Sequence, residues 1–304
     1  MKETYDTNGL IPLTNLELKD FEKTITKLND FWKAKSIAYL DKFGLPTLPA
    51  IAITNWNEEV KTELIQICKE KGWNSVVIRT DKKAETGERI PRGGYLTNLD
   101  QLSSEITKIF DMERIAMILE PRDRYRNLYG INILYEKTSP ENLYFEVVGP
   151  GFEVSNLNRG DIMPHERIII KRISDEPIIL THNTISLSDY KNSVFTRFVQ
   201  IGRSIDQNQS TENMSDDELA KIAKNFLKKN KYDLLSQNET NYSSIPIDYI
   251  NKIKNYVAEL PYKMSKIGLD VEQFVLSATV FDSGELVFWD IVWPEHKYEG
   301  LKSG

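Results

Sequence analysis

The sequence predicts an α+β fold built as two lobes, and three observations predict it. Strand-like and helix-like segments alternate through the first third of the chain, the middle is rich in short apolar strands, and the end reads as an amphipathic helix followed by a hairpin. This order suits a cleft between lobes, placed at residues 1–119 and 120–304, better than one doubly wound sheet.

Between residues 15 and 43 apolar Leu18, Phe21, Ile25, Leu28 and Phe31 recur at helical spacing, with a break expected near Trp32 and a stop at Gly44. Pro46 and Pro49 hold the chain extended into a strand at 50–53. Asn55 or Asn57 caps the next helix, which lines up Val60, Leu64, Ile67 and Cys68 and ends at Gly72. A buried strand at 76–78 then delivers Arg79 at its end. The segment DKKAETGERIPRGGYLTN reads as turns, before a helix around 99–110 and an apolar strand, RIAMILEP. LYGINILYE, NLYFEVVG and ERIIIKRI are strands, the last two separated by the loop GPGFEVSNLNRGDIMPH. Helices follow at 186–204, from a Ser215/Glu218 capping box to about 229, and at 247–266 with a kink at Pro261. Two strands around an Asp-Ser-Gly turn close the pattern.

With 39 basic and 45 acidic residues the net charge is −6, spread along the chain, so nucleic acid is not expected as a partner. No stretch approaches the length of apolar residues that spans a bilayer, and no secretory signal is seen, so a cytoplasmic protein without a membrane partner is expected. The single cysteine, Cys68, falls on the apolar helix face and reads as core.

Nucleotide chemistry needs cations near phosphates, backbone N–H groups exposed by glycine, and carboxylates for Mg2+. All three occur here. Lys33 is followed by Ile37, Leu40, Gly44, Pro46 and Pro49; Arg79 ends a strand ahead of Glu85 and the Gly93-Gly94 pair; Glu120 ends another strand. Gly149, Gly151, Glu153, Gly160 and Pro164 follow, and Asp270, Glu272 and Asp290 lie on the final hairpin. In this order the landmarks resemble the ATP-binding domain of the phosphoenolpyruvate synthase and pyruvate phosphate dikinase family. Phe31 and Trp32 stand where that family has two glycines, Thr80 and Asp81 replace its two serines, Glu120 and Asp290 replace glutamines, and His165 stands in place of an aspartate.

The resemblance implies an ATP-grasp-like fold, two α/β lobes clamping a nucleotide cleft, with ATP and Mg2+ as its cofactors. It implies that Lys33 and Arg79 are catalytic and hold the phosphates, that Gly93 and Gly94 close over them, that Glu120 marks the adenine hinge, that Glu153 belongs to the nucleotide site, and that Glu272 and Asp290 hold metal. For Lys33 a solvated helix lysine is the alternative, and for His165 a loop or turn histidine is the alternative to a phosphoryl acceptor or general base. If the hairpin turns about Ser283, Asp290 lies opposite Leu276, and the two carboxylates are roughly 13 Å apart. The function implied is an ATP-dependent phosphotransferase, a kinase acting on a small molecule or on a histidine-bearing partner protein. A carboxylate–amine ligase and an inactive nucleotide-binding module are the alternatives.

Overall fold

A computed structural model of the chain describes residues 9–28, 31–81, 95–111, 115–122, 126–174, 178–205, 214–230 and 242–293. The fold is α+β, as expected, with one five-stranded and one six-stranded sheet and helices beside them. Among the described residues, 9–122, 259–276 and 287–293 form one compact unit, and 126–258 with 277–286 form a second. No helix among them is long and apolar enough to cross a membrane.

The first unit holds β1 (Leu10–Pro12), α1 (Leu18–Lys27), α2 (Trp32–Lys42), β2 (Ala50–Ile53), α3 (Glu58–Glu70), β3 (Ser75–Asp81), β4 (Tyr95–Asn98), α4 (Leu99–Asp111) and β5 (Ile115–Leu119). The sheet order is β1-β2-β5-β3-β4, antiparallel throughout. Side chains alternate along a strand, so Ile51 and Ile53, Val76 and Ile78, and Ala116 and Ile118 share one face. They form one buried cluster with Val60, Leu64, Ile67 and Cys68 of α3 and Leu102, Ile106 and Ile109 of α4. Burial in this cluster pushes the Cys68 thiol up to about 11, which makes it an inert core residue. Asn57 caps α3 by accepting from Val60 N–H at 2.9 Å, and Gly72, at φ 70°, ends it.

The expected break near Trp32 separates α1 from α2. Every residue from Trp32 to Leu40 is buried, including Lys33 and Lys35. Such a helix has no solvated face. One flank is aromatic, with the Tyr39 ring 5.4 Å from Phe21 and 5.9 Å from Phe43.

The second unit holds β6 (Asn127–Glu136), β7 (Asn142–Val148), α5 (Val154–Arg159), β8 (Glu166–Lys171), β9 (Ile179–Thr184), α6 (Leu187–Ile205), α7 (Asp216–Lys229) and α8 (Ile247–Val257). Strands β6 to β9 form an antiparallel meander. Phe152, Tyr190, Val194, Phe198 and Ile201 pack with Leu219, Ala223 and Leu227 to join α6 to α7. Gly202 permits that contact: a Cβ there would lie 2.2 Å from Leu219 O. Gly202→Ala therefore forces the helices apart, and we expect a loss of about 2–3 kcal/mol in urea unfolding. An unchanged midpoint would contradict this helix packing.

The final segment runs through α8, α9 (Leu260–Lys266), β10 (Gln273–Phe281) and β11 (Leu286–Val292). The single kinked helix expected from the sequence is two helices, because Pro261 sits in the first turn of α9, where its missing N–H costs nothing. Phe281 N–H donates to Glu285 O at 2.9 Å, Gly284 N–H donates to Phe281 O at 2.9 Å, and Gly284 has φ 78°. This is a three-residue hairpin loop. Continuing its ladder sets Asp290 opposite Leu276, as the sequence register predicts.

Candidate functional site

Three elements of the first unit meet around Lys33 and Arg79. Arg79 and Asp81 share with Val77 the face of β3 opposite the α3–α4 core, so the period of the strand alone turns them toward α2 and β11. The Lys33 ammonium donates to Thr80 O at 3.0 Å, and Ala34 N–H donates to Asp81 Oδ2 at 3.1 Å. Phe31, at the N-cap of α2, supplies no side-chain cap. Asp81 takes that part from another element: a buried carboxylate meets a first-turn N–H at the positive end of the helix dipole.

Arg79 Nη1 donates to Trp289 O at 2.8 Å, and Nη2 faces Asp290 Oδ2 at 3.4 Å. Both charged side chains are largely buried, at 16% and 12% exposure, so this pair is screened far less than a surface ion pair. The other Asp290 oxygen accepts from Ser36 Oγ at 2.6 Å. Near the start of α2 the Trp32 ring packs edge-on against Trp293 at 4.4 Å. Lys33 is thus a buried lysine fixed on a carbonyl, rather than the solvated lysine of the alternative.

Glu120 follows β5; its N–H donates to Pro49 O at 2.9 Å, and its carboxylate pairs with Arg122 at 2.9 Å. Glu272 is exposed, just ahead of β10, while Asp290 is buried. Gly93 and Gly94, like Glu85, lie outside the described residues.

Glu153 belongs to the second unit. It caps α5 in a box with Asn156, and Arg197 Nη2 donates to its carboxylate at 2.8 Å while Arg197 Nε donates to Gly151 O at 3.1 Å. Close by, Asn132 donates to Asn158 at 2.8 Å, Asn158 to Ser277 at 3.1 Å and Ser277 back to Asn132 at 3.0 Å, a closed ring of side-chain bonds.

His165 is fully buried, edge-on to Phe152, Tyr190 and Tyr242. Its Nδ1 accepts from Gly149 N–H at 3.0 Å, so the neutral ring carries its proton on Nε2. Burial pushes its pKa down to about 4. It is a buried histidine in the bend just ahead of β8, which fits the loop or turn reading. The unfolded chain takes up a proton near pH 6.5 that the folded ring refuses until about pH 4. His165 therefore contributes its full stability above pH 6.5, and loses about 3 kcal/mol as pH falls to 4. The pH dependence of urea unfolding should flatten in this window for His165→Gln; an unchanged slope would contradict it.

Sequence reasoning missed Ser36, Asp81 as a helix cap, and Glu166. The Glu166 side chain is completely buried, with Oε1 accepting from the Tyr242 hydroxyl and from Ile245 N–H at 2.8 Å, and Oε2 meeting His182 Nε2. A carboxylate opening an apolar strand gives no local sign of such partners.

No protein-family model and no curated protein matches the chain. Among solved structures it is similar to D-alanyl-alanine synthetase A of Vibrio cholerae, with TM-score 0.41 and 10% identity over 87% of this chain and 55% of that one. A Chryseobacterium gregarium RiPP-associated ATP-grasp ligase, in complex with ADP and a leader and core peptide, gives TM-score 0.36 and 11% identity over 83% and 49%. An acetyl-coenzyme A synthetase 1 of Ca. Korarchaeum cryptofilum gives TM-score 0.41 and 11% identity over 90% and 97%. The chain spans about half the length of the first two, 55% and 49%.

Proposed function

We propose that this chain is an ATP-dependent enzyme with an ATP-grasp type of nucleotide site, and that it activates a carboxylate as an acyl phosphate for attack by an amine. The observation that carries the ATP site is the anchoring of Lys33 on the carbonyl of Thr80, the residue next to Arg79. Lys33 is thereby fixed beside the residue that follows Arg79, and Arg79 is itself held by β11. A guanidinium has five N–H donors, and the bonds to Trp289 and Asp290 engage two of them, so donors remain for an anion.

In this reading Lys33 and Arg79 hold the ATP phosphates and Glu120 marks the adenine side. Glu272 is the carboxylate proposed for Mg2+, a hard cation that takes oxygen ligands. Mg2+ bound with ATP would neutralise phosphate charge during transfer. Asp290 has one oxygen on Ser36 and the other on Arg79, so its metal role is secondary to holding the guanidinium.

Carboxylate activation needs no histidine acceptor, and the two described histidines supply none. His165 is buried and neutral, and His182 is engaged by Glu166, so neither is placed to receive a phosphoryl group. Phosphotransfer would depend on an acceptor outside the chain.

Incubation with Mg2+, ATP, a panel of carboxylic acids and hydroxylamine tests the reading. ADP, phosphate and a hydroxamate are expected, and all three should vanish in Lys33→Ala. AMP as the product would favour the dikinase reaction instead, and saturable ATP binding without turnover on any acid would favour an inactive nucleotide-binding module.

A further inference from the structure

Ser36 is completely buried on α2, yet its hydroxyl spends both of its bonding roles on consecutive residues of β11. It donates to Asp290 Oδ1 at 2.6 Å and accepts from Ile291 N–H at 2.7 Å. With Oδ1 fixed, the Asp290 carboxylate cannot swing about its terminal torsion, and Oδ2 stays directed at Arg79 Nη2. The neighbouring carbonyl, Trp289 O, holds Nη1. Two attachments define the plane of a guanidinium, which is rigid and planar.

From this geometry we infer that Ser36 is a positioning residue, acting through Asp290 to orient Arg79 for a triphosphate. The inference rests on the reading of Arg79 as a phosphate ligand. An arginine side chain loses much rotamer freedom when it grips an anion, and a side chain already held in its bound geometry loses less on binding. Alanine at position 36 would fill nearly the same space but would release Asp290 Oδ1 and strip Ile291 N–H of its acceptor. The hydroxyl meets Asp290, whose other oxygen lies on Arg79, so the effect should run through Arg79.

A double-mutant cycle tests this, with MgATP affinity measured by calorimetry on the full chain and its Ser36→Ala, Arg79→Ala and doubly substituted variants. Ser36→Ala should weaken binding about tenfold, the size of one hydrogen bond to a charged group. In the Arg79→Ala background the same change should do nothing further. A folded Ser36→Ala protein with unchanged affinity, while Arg79→Ala is weakened, overturns this inference and leaves the ATP site standing. Equal losses in both backgrounds overturn it too, since a purely structural serine would act regardless of Arg79. A wild-type protein that binds no MgATP overturns the ATP reading and the inference with it. Should Ser36→Ala not fold, Ser36→Cys, nearly isosteric and a weaker donor, takes its place in the cycle with the same criteria.

Discussion

Glu166→Ala is expected to be the most damaging single substitution in the second unit, at about 3–5 kcal/mol of unfolding free energy. The carboxylate is wholly buried and serves the Tyr242 hydroxyl, Ile245 N–H and the His182 ring together. Removing it leaves a buried hydroxyl and a buried N–H without their acceptor, and each such group costs about 1–3 kcal/mol. Burial, and next the Glu166 charge, raise the Tyr242 pKa, so the phenol stays protonated and keeps donating across the accessible pH range. The Tyr242 ring also lies against Gly149, where a Cβ would come 2.6 Å from its Cε2. Gly149→Ala should therefore displace the same ring and reproduce part of the loss. Urea unfolding measures both, and faster amide exchange at 242–246 should accompany them. A Glu166→Ala protein within about 0.5 kcal/mol of wild type would show that the cluster is not a stabilising hub.

Arg79→Ala should act on stability and on ligand binding at once. Asp290 is almost fully buried, and without the guanidinium its charge keeps, among the described residues, the Ser36 hydroxyl, so about 3 kcal/mol of stability should be lost. The same residue is one of two cations proposed for the triphosphate, and MgATP affinity should fall by roughly a hundredfold, as charge-assisted bonds lost from a part-buried site would give. Arg79→Lys separates the two effects. A lysine restores a charge beside Asp290 but cannot make the two-point contact with Trp289 O and Asp290, so stability should recover more than affinity. Equal recovery of both would mean that orientation of the guanidinium does not matter.

Much of the fold is legible in the sequence where the signal is local. The Asn57 cap, the Ser215/Glu218 box, Gly44 and Gly72 as helix stops, and the Asp-Ser-Gly hairpin turn all rest on residues a few positions apart. Strands β1, β4 and β9 and helix α5 were not legible. The first is three residues long, β4 lies in a segment of turn formers, and β9 carries no apolar alternation because nearly all of it is exposed. Helix α5 lies inside a glycine-rich loop, and its box joins Glu153 to Asn156 rather than the usual serine or threonine to a glutamate. At the candidate site, Lys33, Arg79 and Asp290 are reached through the family resemblance, by their places in its ordered landmarks. Ser36 is not, because its partner is 254 residues away and nothing within α2 distinguishes its hydroxyl from that of any helix serine.

The ATP site built on Lys33 and Arg79 is the central claim, and titration of MgATP into the intact protein by calorimetry tests it most directly. The account predicts saturable, Mg2+-dependent binding that falls by roughly a hundredfold in Lys33→Ala and in Arg79→Ala, with both variants still folded by circular dichroism. Absence of binding by the intact protein, or unchanged affinity in the two folded variants, would contradict it.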